Sequence, residues 1–299
     1  MLPIRSGLIS ARMNLTKPWK ITRGGIGGSV SKFTLRTIVS LLLVGFVAAV
    51  VYVFPEWLFC VVVTVFVAFG LFEFFRLVEN KDIKVPKYFG TIMGSLVPGV
   101  VFFSSYMPEV KNLEPLFIVA AVLLALTLQF IRRDNARDHL VSMALTLFSV
   151  LYIGWFFSFL VKLRLLDNGA HLVAFLIIVT KGADIGAYLI GGRWGRTELI
   201  PRISPKKTKE GTVGGVFISL ILAMLFGPSL TGFFVPHLMV LGFGLAVLGQ
   251  VGDLAESLIK RDCNAKDSGT VLAAIGGALD LIDSLLFTAP IFYFYVKAF

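Results

Sequence analysis

From Phe33 onward the chain repeats one pattern, an apolar run of about 17 to 25 residues followed by a short polar connection. Wound as helix, a run of that length covers the roughly 30 Å of hydrocarbon in a bilayer. Nine spans are expected, near residues 34–54, 57–78, 88–106, 115–131, 139–161, 170–191, 212–232, 235–259 and 271–296. Lipid offers no partner to an open backbone, so each span must be a helix; the alternating pattern of a barrel strand is absent. With 57% hydrophobic residues, 15% charged residues and a mean hydropathy of +0.86, a soluble domain is excluded. The expected fold is all-α, a polytopic integral membrane protein of about nine transmembrane helices.

The basic residues orient these spans. Of the 28 Lys and Arg residues, the N-terminal arm and the second, fourth, sixth and eighth connections hold seven, four, three, six and three, together 23. The opposite side holds Lys111, Lys162, Arg164 and Lys297, and Lys181 lies within a span. By the positive-inside rule the N-terminus is cytoplasmic, and an eight-span reading would break the alternation. The net charge of +10 therefore reads as topology and attraction to anionic lipid, not as a nucleic-acid footprint. Residues 1–33, with no acid before Glu56, read as a cytoplasmic polybasic arm whose basic region is too long for a cleaved signal peptide. Cys60 falls near the outer end of the second span and Cys263 in a cytoplasmic connection, so the two cannot pair.

The chain changes character near its middle. Residues 34–165 form five almost purely apolar spans, read as a platform. Their one intramembrane acid, Glu73, is expected to pair with Arg76 at i, i+3 and snorkel toward the cytoplasm. Residues 166–299 carry polar groups inside four spans and read as the catalytic region. Asp253, Glu256, Ser257 and Lys260 fall on one helix face, and Asp280, Asp283 and Ser284 repeat the i, i+3, i+4 spacing behind Gly276-Gly277. Acids at such depth are costly and mark function. The sixth connection is rich in Gly, Lys, Ser and Thr, from Gly191 to Gly211, donors suited to phosphate oxygens. Asp184, Asp253, Asp280 and Asp283 all lie near cytoplasmic span ends, beneath Lys206, Lys207, Lys260, Arg261 and Lys266. Acids below and bases above suit Mg²⁺ with a polyphosphate. The competing readings are a basic loop that merely obeys charge topology and an ion pathway through a transporter bundle. His139, His171 and His237 sit at span ends and read as interfacial anchors.

These residues resemble the phosphatidate cytidylyltransferase (CDP-diacylglycerol synthase) family. The carrying motifs are Asp184–Tyr188 (Asp-x-Gly-Ala-Tyr), Ser204–Gly211 (Ser-Pro-Lys-Lys-Thr-x-Glu-Gly), and a signature running from Ser257 through Lys260-Arg261, Lys266-Asp267 and Gly276-Gly277 to Asp280 and Asp283. Ala273, Ile275 and Leu281 stand where that signature has Pro, His and Arg, so no role of those three residues carries over. The resemblance implies that CTP and phosphatidic acid give CDP-diacylglycerol and pyrophosphate. It implies Asp253 and Asp280 as principal metal ligands and catalytic residues together with Lys260 and Arg261. Asp283 and Glu256 join the metal set. The implied substrate-binding set is Asp184, Ser204, Lys206, Lys207, Thr208, Glu210, Ser257, Lys266, Asp267, Gly276 and Gly277. Mg²⁺, with room for a second metal, a homodimer in the bilayer and a bacterial inner membrane with the site facing the cytoplasm complete the expectation. The rivals are a CTP-dependent polyprenol or phytol kinase and an ion-coupled transporter.

Overall fold

The computed structural model describes residues 41–107, 112–131, 139–266, 268–269 and 277–299. Residues 1–40, which include the basic arm and the start of the first span, lie outside the described residues, as do Asp267 and Gly276. The helices, in chain order, are α1 (Leu41–Tyr52), α2 (Glu56–Glu79), α3 (Lys87–Tyr106), α4 (Leu113–Ile131), α5 (His139–Ser149), α6 (Phe156–Arg164), α7 (Gly169–Trp194), α8 (Lys209–Leu230), α9 (Val235–Asp262) and α10 (Ala278–Ala298). A single π-helical stretch, Val150–Trp155, joins α5 to α6 so that His139–Arg164 forms one continuous rod. Among the described residues eight such rods are long and apolar enough to cross a membrane, and α1 is a shorter apolar helix. The protein is an all-α polytopic membrane protein. Each expected span falls on one of these helices, the first described only from Leu41 and the ninth only from Ala278.

α10 is the centre of the bundle. It packs against α2, α6, α7 and α9, and its Phe292 is fully buried against Phe175 of α7 with ring centroids 5.5 Å apart. α7 and α8 approach more closely than bulky side chains would allow. A Cβ on Gly211 would lie 2.8 Å from the Ala187 carbonyl oxygen, and one on Gly215 would lie 2.7 Å from that of Ala183. Small residues at a helix contact let van der Waals packing do what the hydrophobic effect cannot do in lipid. Large apolar side chains such as Phe217, Leu225 and Phe243 point outward from the bundle, as a lipid-facing surface requires.

Two local features differ from expectation. The connection between α7 and α8 is a hairpin. Strand β1 (Glu198–Ile200) pairs antiparallel with β2 (Ser204–Thr208), Glu198 opposite Thr208 and Ile200 opposite Ser204. The hairpin flows directly into α8 because the Thr208 hydroxyl accepts the Gly211 N–H at 3.1 Å, a side-chain N-cap. Glu73 is the second correction. Instead of snorkelling with Arg76 it is buried at 1% exposure and accepts the backbone N–H of Leu279 at 2.9 Å. Arg76 lies over the Phe72 ring on the outside of α2. The i, i+3 rule places Glu73 and Arg76 as neighbours, but the start of α10 offers the carboxylate unpaired backbone donors, which no local spacing reveals.

Candidate active site

α9 and α10 run their acidic faces together near the end of α9. A carboxylate oxygen from each of Asp253, Glu256 and Asp283 falls within 4.8 Å of the other two. The contact is close because Gly252 has no side chain; a Cβ there would lie 2.6 Å from the Asp283 carbonyl oxygen. Glu256 is buried at 1% exposure, and its Oε1 has no hydrogen-bond partner within the chain. Three carboxylates with one orphaned oxygen form an all-oxygen donor set, which suits a hard divalent cation such as Mg²⁺.

Three lysines thread this cluster. Lys260 reaches across from α9, with its Nζ 2.9 Å from Glu256 Oε2 and 2.6 Å from Asp280 Oδ1. The other oxygen of Asp280 accepts the Gly277 N–H at 3.1 Å. Asp280 is thus engaged by Lys260 and its own helix start, while Asp283 completes the carboxylate trio. From α7, Lys181 donates to Ser284 Oγ at 2.6 Å and lies 3.4 Å from Asp184 Oδ2 and 3.6 Å from Asp283 Oδ1. The Ser284 hydroxyl donates to Asp184 at 3.0 Å, linking α7 to α10. Lys207, on β2, pairs with Asp253 Oδ2 at 2.7 Å. The hairpin therefore lies against the acids.

Above the acids opens a cavity of about 400 Å³, whose lining includes Asp184, Lys206, Lys207, Thr208, Gln250 and Asp253. Gly191, Gly192, Gly211, Tyr188 and Leu199 complete much of its wall. Tyr188 is 80% exposed, so one side of the cavity adjoins the outer surface of α7.

The sequence-derived residues divide into groups. Asp184, Asp253, Glu256, Asp280, Asp283 and Lys260 converge, with Lys206, Lys207 and Thr208 on the cavity wall. Glu210 instead ties down the base of the hairpin, accepting the N–H groups of Arg196 and Thr197 at 3.1 and 3.2 Å. Arg261 donates from Nε to the Ile203 carbonyl at 3.3 Å, holding the hairpin from α9. Ser204 starts β2 and Ser257 is half-buried on α9; neither lines the cavity, and Lys266 is exposed away from it. Asp267 and Gly276 lie outside the described residues. Gly277 borders Ser268 and Glu73 rather than the cavity. Sequence reasoning assigned no role to Lys181, Ser284 or Gln250. Lys181 carried a signal of its own, since a lone lysine in an apolar span needs a partner. None of the three histidines lines the cavity; His237, for instance, meets the Tyr295 hydroxyl at 2.8 Å.

The sequence that builds this site has named relatives. The Cytidylyltransferase family model matches residues 34–299. The chain is similar to phosphatidate cytidylyltransferase of Bacillus subtilis, 34% identical over 267 residues that make up 86% of this chain and 97% of that protein. It is also similar to phosphatidate cytidylyltransferase of Staphylococcus aureus, 37% identical over 187 residues, 61% of this chain and 68% of that one. An uncharacterized Escherichia coli protein, YnbB, is 39% identical over 153 residues, and this match spans 51% of each chain. With a family match running from residue 34 to the last residue, the chain belongs to the cytidylyltransferase family.

Proposed function

We propose that the protein transfers the cytidylyl group of CTP to phosphatidate, yielding CDP-diacylglycerol and pyrophosphate, at the cavity between α7, α9 and the hairpin. The observation that carries this reading is the carboxylate trio of Asp253, Glu256 and Asp283 set beneath a lysine-bearing hairpin inside a membrane bundle. Membership of the family and likeness to phosphatidate cytidylyltransferases over most of the chain support the substrate pair.

In this reaction a phosphate oxygen of the lipid attacks the α-phosphorus of CTP. The bond from that phosphorus to the oxygen bridging to the β-phosphate breaks, and pyrophosphate leaves. A phosphate monoester has a second pKa near 6, so the nucleophile is already dianionic at neutral pH and needs no base. Alignment and charge neutralisation carry the rate. Lys206 and Lys207 on the hairpin draw the triphosphate to the acids, and Lys260, held between Glu256 and Asp280, would neutralise charge on the departing pyrophosphate. Arg261 and Glu210 hold the hairpin in place. Asp253, Glu256 and Asp283 would hold Mg²⁺, with Asp280 beside them. The chemistry Mg²⁺ supplies when bound is neutralisation and alignment of phosphate oxygens. The same reading takes residues 34–165 as platform and 166–299 as catalytic region, with residues 1–33 as a cytoplasmic arm. It puts the cavity on the cytoplasmic side of a bacterial inner membrane, supported by the basic residues concentrated on that side, and takes two copies as the working assembly.

Purified protein supplied with phosphatidate and CTP labelled at either the α or γ position will place the α label in the lipid in a Mg²⁺-dependent manner. Label from the γ position in the lipid would instead identify a lipid kinase. No CTP consumption, with ion flux in sealed vesicles, would identify a transporter. Lys207→Ala will raise the KM for CTP by about tenfold or more, the worth of one charge-assisted hydrogen bond, with a smaller change in kcat. An unchanged KM counts against a nucleotide role for the hairpin.

A further inference from the structure

Gly277 precedes the first residue of α10 and has no side chain with which to cap it. A helix start leaves four backbone N–H groups without intrahelical partners. At α10 one of these is satisfied from the opposite half of the molecule. The Leu279 N–H donates to Glu73 Oε2 at 2.9 Å, across 206 residues of chain. The Ser268 hydroxyl donates to the same oxygen at 3.3 Å. The chain closes on this carboxylate from both sides. A Cβ on Gly269 would lie 2.4 Å from Glu73 Oε1, and one on Gly277 would lie 2.7 Å from Oε2 and 1.9 Å from Ser268 Oγ. Glu73 is 1% exposed and does not line the cavity. Yet the residue after Leu279 is Asp280, whose carboxylate joins Lys260 to the Gly277 N–H.

We propose that Glu73 is a positioning residue for cytidylyl transfer, acting through the first turn of α10. A carboxylate at a helix N-terminus is favoured by the helix dipole and fixes the direction of the N–H it accepts. Anchored on α2, it sets the height and rotation of that turn, and so where Asp280 and Asp283 stand relative to Asp253 and Glu256. It touches neither substrate nor the reacting atoms. The platform is thereby an active part of the site's geometry and not only a lipid-facing support. This role rests on the functional reading above, although the cap itself does not.

Two substitutions separate reach from charge. Glu73→Gln keeps the length and an acceptor oxygen but removes the charge. Glu73→Asp keeps the charge but withdraws it by one methylene. Glu73→Asp will lower kcat by about 10- to 100-fold, as expected for losing a hydrogen bond to a charged group. It will also raise the Mg²⁺ concentration for half-maximal rate, leave the KM for CTP nearly unchanged, and speed amide exchange at residues 277–280. Glu73→Gln will stay within about threefold of the wild type in all four, the loss being only the dipole interaction. The opposite ranking overturns the proposal, because charge and not capping then matters. A slower Glu73→Asp enzyme with wild-type exchange and Mg²⁺ requirement also overturns it, as does wild-type behaviour of both variants. Should Glu73→Asp not fold, faster exchange at residues 277–280 in Glu73→Gln overturns it alone. A wild-type protein that makes no CDP-diacylglycerol sinks the functional reading, while the exchange measurements still decide the cap.

Discussion

Asp253→Asn will leave a folded, membrane-embedded protein whose CDP-diacylglycerol synthesis falls by about 10²- to 10³-fold or more, the scale seen when one preorganised charge-stabilising group is lost. Asn copies the shape of the carboxylate but neither its charge nor its ligand strength, so the loss belongs to the chemistry. Asp253 shares a 4.8 Å neighbourhood with Glu256 and Asp283, and its Oδ2 receives Lys207 at 2.7 Å. With its side chain 35% exposed, the Lys207 pair is a modest contributor to stability, so the variant retains its fold. Asp280→Asn will lose activity to a similar degree for a different reason. Its carboxylate couples Lys260 to the start of α10, and neutralising it leaves Lys260 to Glu256 alone. Initial rates at saturating CTP and Mg²⁺, beside thermal unfolding in detergent, check both. Near-normal Mg²⁺-dependent turnover in either variant defeats the shared acidic site.

Gly252→Ala is the next most damaging change and introduces only a methyl group. The added carbon would stand 2.6 Å from the Asp283 carbonyl oxygen, 3.1 Å from Phe287 Cδ2 and 3.2 Å from Ser284 Cα. Two of these neighbours are backbone and cannot rotate aside, so α9 and α10 must separate where their carboxylates meet. Overpacking of this kind costs about 1–3 kcal/mol. A displacement approaching 1 Å in a reacting constellation costs about 10²-fold in rate. The expected result is a lower unfolding temperature with kcat reduced by about 10- to 100-fold. Gly244→Ala on the same helix, with nothing within 4 Å of the added carbon, will behave as wild type. If Gly252→Ala matches that control, the separation of α9 and α10 does not set the rate.

Spans and acids were both legible in the sequence because each obeys a local rule. A run of apolar residues in lipid has one stable backbone, and carboxylates at i, i+3 share a helix face. Thus Asp253 with Glu256, and Asp280 with Asp283, could be paired before any packing was known. Lys207 against Asp253, by contrast, needs the β1–β2 pairing that turns the hairpin over the acids. Glu73 was misread for the same reason: its partner is a backbone N–H 206 residues away, and spacing reports only on neighbours in the chain. The resemblance implied catalytic and substrate-binding roles for Arg261 and Glu210, yet Arg261 donates to the Ile203 and Ala265 carbonyls and Glu210 accepts from Arg196 and Thr197 at the base of the hairpin. Charge type was readable; the direction in which each charge points depended on tertiary contacts.

Lys181, Lys207 and Lys260 act as resident counter-ions for the acids of α7, α9 and α10. These three lysines thus offset part of the charge of five carboxylates at the bundle's most polar depth as soon as it assembles. On the proposed function, substrate would enter by ion exchange: a phosphate would take over a lysine, and the carboxylate it leaves would be released for new partners. Nucleotide affinity in such a site reflects the difference between two pairings of the same lysine, not the full strength of either.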